Sequence, residues 1–310
     1  MSRLQVSNLR VDYEDTTAVK GIDLTVDAGM ILGLIGPNGA GKTSLIRCVA
    51  ALLDPTHGTI LVDGINMLQD TSGALQRIGY MPDNPPLYDD LTVYEFLDMF
   101  ASAYGVPTDR RGARIKTLIE QVRLTDKANS LCGGLSKGMR QRLFLAKCLL
   151  HDPGVLLLDE PASGLDPNAR REFGEIIRAL GDAGKAILVS SHILTELADF
   201  CNSVAIMEQG HMRIAGQIDD IVESLSQNRM INMKLVGDPN EALVTLETLP
   251  YVSKLESRAD VICFEIEGDD VRVAACLKTL IDKGCPIIEY RLNDVGLREI
   301  FERVTDGGLA

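Results

Sequence analysis

Residues 36–43 read Gly36-Pro37-Asn38-Gly39-Ala40-Gly41-Lys42-Thr43, a complete G-x-x-x-x-G-K-[ST] loop. Its glycines let successive backbone N–H groups close on phosphate oxygens, while Lys42 reaches the terminal phosphates and Thr43 offers a hydroxyl to Mg2+. Ser44 follows in the first helical turn, where the helix dipole favours the same negative charge. Residues 30–35 form a short apolar run of the buried parallel-strand kind. Leu45, Ile46, Val49, Leu52 and Leu53 recur at helical spacing until Asp54-Pro55 halts the pattern. Strand, loop and helix come in the order a nucleoside triphosphate site requires, which a chance glycine-rich turn does not explain.

A second apolar run, Val155-Leu156-Leu157-Leu158, ends in Asp159-Glu160. That places a carboxylate at the carboxyl end of a buried strand, where open α/β sheets bind their ligands. Mg2+ prefers oxygen ligands, so Asp159 and Thr43 can hold it against the phosphates. Glu160, one residue on, is the candidate general base that polarises an attacking water. On its own an Asp-Glu pair after a strand reads as a solvated turn; the loop upstream favours the site.

The net charge of −13 disfavours a protein that grips nucleic acid through a basic face. It does not disfavour a triphosphate, because distant charges are screened beyond about 8 Å while a local lysine is not. No stretch approaches the roughly 20 apolar residues of a membrane span, and the amino terminus carries no signal-peptide pattern. Seven scattered cysteines lack C-x-x-C or metal-ligand spacing, so a soluble, cytosolic chain with reduced thiols is expected.

Three further segments narrow the reading. Leu135-Ser136-Lys137-Gly138-Met139-Arg140-Gln141 opens a helix that Ser136 can cap. Pro161-Ala162-Ser163-Gly164-Leu165-Asp166 follows Glu160, and His192 follows the strand-like residues 186–191. This ordered set resembles the nucleotide-binding subunit of ABC transporters over about residues 3–218.

The resemblance implies a P-loop NTPase cassette with a mixed core sheet, an antiparallel β-subdomain and a helical subdomain. It implies ATP and Mg2+ as cofactors. Ser136 and Gly138 match the signature that contacts ATP held by an opposing cassette, and Asp166 matches the aspartate at that dimer interface. Tyr13 matches the aromatic residue stacked on adenine, although a tyrosine beside a strand is as readily a packing residue. His192 matches the switch histidine that orients Glu160 and water. The implied partners are a second cassette, identical or different, and a separate transmembrane permease. The permease would hold the chain at the cytoplasmic face of the membrane, with no direct insertion and no nucleic acid bound.

Two positions depart from the family pattern. Lys137 and Met139 stand where the signature commonly has Gly and Gln, a variant associated with bacterial drug and polysaccharide exporters; Lys137 reads as solvated rather than as a phosphate contact. Asp83, ending Ile78-Gly79-Tyr80-Met81-Pro82-Asp83, replaces the usual Gln near Mg2+ and the attacking water. A carboxylate there would ligate Mg2+ more strongly and repel a γ-phosphate without metal.

Strand patterns at 4–11, 21–26 and 58–62 predict the antiparallel sheet, and helical periodicity runs from 92 to about 150 with a proline-rich turn at 84–88 before it. Glu208-Gln209-Gly210-His211 reads as a hairpin turn, with His211 on the surface, and 219–228 as a helix-like link. Residues 1–220 are taken as the cassette and 221–310 as an accessory domain. The second domain's β-α-β-β-α-β order suggests a small ferredoxin-like α+β fold with a last helix at 295–304. From residue 220 onward 17 acidic residues face 10 basic ones, so this domain is also poorly suited to gripping nucleic acid.

An ATP-driven subunit of a transporter, export favoured over uptake, is therefore the leading expectation. A soluble ATPase of the same family acting on ribosomes or DNA would bring paired cassettes or a coiled-coil insertion and a basic surface, none of which this sequence has. A P-loop kinase would leave Ser136, Gly138 and Asp166 without a role.

Overall fold

Alternation of apolar and polar residues dictates the first two strands, β1 (Ser2–Tyr13) and β2 (Thr16–Asp27), which pair antiparallel and bury alternate side chains such as Leu4, Val6, Ile22 and Leu24. The computed structural model describes residues 2–83, 85–197, 200–218, 220–221, 228–258 and 261–292. Asn84, most of the expected link at 219–228 and all of the expected helix at 295–304 lie outside them. Two compact units result, Met1–Gln217 and Ile218–Ala310.

In the first unit β3 (Ile31–Ile35) is buried throughout and leads into the glycine-rich loop and α1 (Lys42–Val49). The helix stops four residues short of the expected end. Ala51 takes a left-handed φ of 52°, and the Leu52 N–H donates back to Arg47 O at 2.8 Å, closing the turn. Leu52 consequently lies exposed instead of continuing the buried stripe. Two further strands, β4 (His57–Val62) and β5 (Ile65–Asn66), complete a four-stranded antiparallel sheet of order β2-β1-β4-β5.

Past α2 (Thr71–Leu75) and β6 (Ile78–Met81), the helical periodicity becomes α3 (Val93–Ala103), α4 (Thr108–Gln121) and α5 (Lys137–Leu149). A reciprocal capping box of Thr92 and Glu95 starts α3. Val93, Phe96 and Leu97 bury one face of it, and Ile115, Leu118 and Ile119 bury one face of α4.

The chain then forms β7 (Val155–Leu158), α6 (Pro167–Asp182), β8 (Ala186–Ser191), the short α7 (Leu194–Leu197), β9 (Ser203–Glu208) and β10 (His211–Gln217). Gln209 and Gly210 both have positive φ, the type I′ pattern whose twist suits a two-residue hairpin, and His211 is exposed beside them. The mixed sheet runs β10-β9-β3-β8-β7-β6, with every pairing parallel except the β10 edge. Leu32, Leu34, Leu157 and Leu188 from this sheet pack with Leu45 and Ile46 of α1 and the inner face of the antiparallel sheet in one core. The carboxyl ends of β3, β7 and β8 consequently converge on one edge, where a ligand meets backbone ends instead of a side-chain wall.

The second unit contains β11 (Asn228–Leu235), α8 (Asn240–Glu247), β12 (Val252–Arg258), β13 (Val261–Glu267), α9 (Asp270–Asp282) and β14 (Ile287–Leu292). Its four strands pair antiparallel in the order β12-β13-β11-β14. Ile231, Met233, Ile262, Phe264 and Ile266 form its core with Leu246 and Leu280 from the two helices. Among the described residues of both units no helix is long and apolar enough to cross a membrane.

Candidate active site

The glycine-rich loop is shaped by close backbone approaches. A Cβ at Gly36 would run into the Met207 carbonyl, and one at Gly41, where φ is 103°, into the Ala18 carbonyl. Lys42 is only 6% exposed, and its ammonium donates to Gly36 O at 2.6 Å and Pro37 O at 3.2 Å. Burial lowers its pKa, a shift that the nearby Glu160 and Asp159 carboxylates oppose.

Facing the loop, Asp159 continues from β7 and is almost fully buried. Its Oδ1 accepts from Ser190 Oγ at 2.6 Å and, more weakly, from Thr43 Oγ1 at 3.5 Å. Glu160 turns away from the sheet with φ 50°, its backbone N–H donating to the same Ser190 Oγ at 2.9 Å. His192, just past β8, brings Nδ1 to 2.9 Å from Glu160 Oε2. An ionised carboxylate only accepts, so Nδ1 carries the hydrogen in this pair.

These residues enclose one cleft of about 490 Å3, lined by Asn38, Gly39, Ala40, Gly41, Lys42, Thr43, Ser44, Asp83, Glu160 and His192 together with Ala18 and Ser163. Tyr13 stands beside it, its hydroxyl 3.2 Å from Ser44 Oγ and about half of its surface exposed. Asp159 is not among the lining residues, its Oδ1 lying 3.5 Å from Thr43 Oγ1. Sequence reasoning had not selected Ala18, Ser163 or Ser190. The available signal for Ser190 was the first of two serines that end an apolar strand; Ser163 lies three residues after Glu160 and donates its N–H to Glu160 O at 3.2 Å.

Ser136, Gly138 and Asp166 do not line this cleft. Ser136 caps α5, its Oγ accepting from the Met139 N–H at 3.3 Å. Asp166 caps α6, with Oδ1 accepting from the Asn168 and Ala169 N–H groups at 3.0 Å each. Gly138 lies against Ala169, which brings the two helices close enough that a Cβ would collide with the Ala169 side chain. The ammonium of Lys137 rests against Gly164, between Glu160 and Asp166 in the chain.

The donor set suits Mg2+ with a triphosphate. Thr43 and Asp159 bring two hard oxygen donors within 3.5 Å of each other, and Mg2+ typically needs only one or two carboxylates when phosphates supply the rest. Among the described residues there is no group of three or more His, Cys, Asp or Glu side chains that could hold a metal without such a partner.

Comparison with known proteins agrees with this geometry. The ABC transporter family matches residues 19–163. The chain is similar to the Nod factor export ATP-binding protein I of Cupriavidus metallidurans, 32% identical with 97% of each chain covered. It is also similar to the ABC transporter ATP-binding protein NatA of Bacillus subtilis, 39% identical with 67% of this chain and 85% of the relative covered. A solved ATP binding subunit of an ABC transporter superposes with a TM-score of 0.64 at 32% identity, covering 72% of this chain and 92% of that one. The chain belongs to the family of ABC transporter ATP-binding proteins, whose cassettes are ATPases.

Proposed function

We propose that this chain binds Mg-ATP in the cleft above β3 and hydrolyses it to drive a separate transmembrane permease in the export direction. The observation that carries this reading is the pairing of Glu160 with His192 on the wall facing the phosphate loop. A carboxylate held there by an imidazole is oriented to accept a proton from water.

Lys42 exchanges its contacts with Gly36 and Pro37 for the β- and γ-phosphate oxygens, and the loop N–H groups take the remaining negative charge. Tyr13 packs against the adenine. Thr43, Asp159 and Asp83 would hold Mg2+, which would supply neutralisation of charge on the phosphates. Glu160 accepts a proton as water attacks the γ-phosphorus, and the bond to the ADP oxygen breaks. His192 keeps Glu160 Oε2 aimed.

Ser136, Gly138 and Asp166 lie at two helix N-termini outside the chain's own cleft, which supports a role toward nucleotide on a second cassette. ATP then moves the open–closed equilibrium because it binds the closed pair more tightly than the open one. The permease is the membrane component, and this chain would be held at its cytoplasmic side. Export is supported by the Cupriavidus relative named for Nod factor export, which aligns through both units.

The second unit's strand order and paired helices support a ferredoxin-like accessory domain beginning near residues 218–221. Light scattering on Glu160→Gln tests the mechanism. Dimer is expected with Mg-ATP and monomer without it; a monomer that still binds ATP would overturn closure as the working step.

A further inference from the structure

We propose that Ser190 is a positioning residue of the hydrolytic site, setting the metal-binding Asp159 and the general base Glu160 relative to each other. The inference rests on the ATPase reading above and assigns a role to a side chain outside the motifs that define the family.

The strand register explains why a hydroxyl is needed here. Leu158 pairs with Val189 across β7 and β8, and there β7 ends while β8 continues through Ser190 and Ser191. The Glu160 backbone leaves the sheet in the left-handed region, and its N–H loses a strand partner. Ser190 Oγ accepts that N–H at 2.9 Å in place of a ladder carbonyl. The same oxygen spends its single hydrogen on Asp159 Oδ1 at 2.6 Å, a charge-assisted bond in a fully buried setting. One hydroxyl therefore satisfies one residue's side chain and the next residue's backbone.

A merely structural serine would be indifferent to the identity of those partners. Both are chemically committed: Asp159 also accepts from Thr43, and Glu160 is held from its other end by His192. Without Ser190, Asp159 keeps only its long contact with Thr43 among these side-chain bonds, and Glu160 loses the partner of its backbone N–H, keeping the Ser163 N–H on its carbonyl and His192 at its tip. Apolar side chains occupy the preceding four positions of β8, Ala186 to Val189, all fully buried. Ser190 is thus the first hydroxyl after that apolar run, and it, not Ser191, bonds Asp159 and the Glu160 N–H.

The test is Ser190→Ala, with Ser190→Thr as the variant that restores a hydroxyl. Steady-state turnover, thermal unfolding and binding of a fluorescent ATP analogue with and without Mg2+ are measured on both and on the unaltered protein. Ser190→Ala is expected to fold, to lose about tenfold or more in kcat, and to require several-fold more Mg2+ for half-maximal binding enhancement. Affinity for the analogue without Mg2+ should stay within about twofold, and Ser190→Thr should recover at least part of kcat. A folded Ser190→Ala protein with unchanged kcat and Mg2+ dependence would remove Ser190 from this role. Lower thermal stability with those two quantities unchanged would assign it to packing alone. Failure of the unaltered protein to hydrolyse ATP would instead overturn the ATPase reading on which the inference stands.

Discussion

His192 Nδ1 lies 2.9 Å from Glu160 Oε2, joining the turn after β8 to the turn after β7 across a gap of 32 residues in the chain. The left-handed backbone at Glu160 lets its side chain face the cleft, and the imidazole fixes where it points. Replacing His192 by Ala should leave nucleotide affinity within a few-fold of normal while lowering kcat by roughly 10^2 or more, the scale of a misaligned general base. Phosphate release and equilibrium binding on one preparation separate the two effects. Equal losses in both would make His192 a binding residue.

The loop geometry yields a separate prediction. Gly41 combines a φ of 103° with a backbone approach to Ala18 O that a methyl group would block. Gly41→Ala should cost at least tenfold in ATP affinity by pushing the loop N–H groups out of line, about 1–2 kcal/mol from the left-handed backbone alone. Circular dichroism should show the fold retained. Unaltered affinity would mean that the loop backbone does not cradle the phosphates.

Local motifs were legible because each is a short run whose spacing already encodes geometry. The loop at 36–43, the Ser136 cap and the apolar run into Asp159 need no knowledge of distant residues. The helix after Lys42 shows the limit. Leu52 and Leu53 keep the helical spacing, yet the backbone turns left-handed at Ala51, which periodicity does not register. Ser190 was hidden for a different reason. Its importance comes from the pairing of β7 with β8, so the hydroxyl becomes meaningful only when the register sets it beside Asp159. Of the long-range contacts at the site, the pairing of His192 with Glu160 was anticipated through family resemblance, and that of Ser190 with Asp159 was not.

A second network joins Ser191, the neighbour of His192, to Glu196 and Arg170. Glu196 is almost fully buried; it accepts from Ser191 Oγ at 2.7 Å and lies 3.7 Å from Arg170 on α6. Removing the arginine strands a buried carboxylate, and losses of about 3 kcal/mol are usual for such a change. Arg170→Ala should therefore lower the unfolding midpoint of the first unit by several degrees. Adding Glu196→Gln to the same protein should recover part of that loss, since a neutral amide removes the unpaired charge. Calorimetry on the two variants checks this, and absence of recovery would show that Arg170 acts through packing instead of charge.

Thiol chemistry offers a test of the core that does not depend on nucleotide. Burial raises the Cys48 thiol to about 11, with Asp54 adding to the shift, and raises Cys148 to about 12 against a small opposing effect of Lys147. Only the thiolate reacts with iodoacetamide. At pH 8 the thiolate fraction of Cys48 is about a hundredfold below that of an unperturbed thiol, and that of Cys148 is lower still. A raised folded pKa keeps these groups protonated, so labelling should accelerate only as pH climbs toward the raised values or as the protein unfolds. Peptide mapping after timed alkylation should find Cys48 and Cys148 unmodified in native protein at pH 8 and modified in denaturant. Rapid labelling under native conditions would mean that the packing around that thiol, α1 in the core for Cys48 or α5 against β6 for Cys148, opens far more readily than its burial implies.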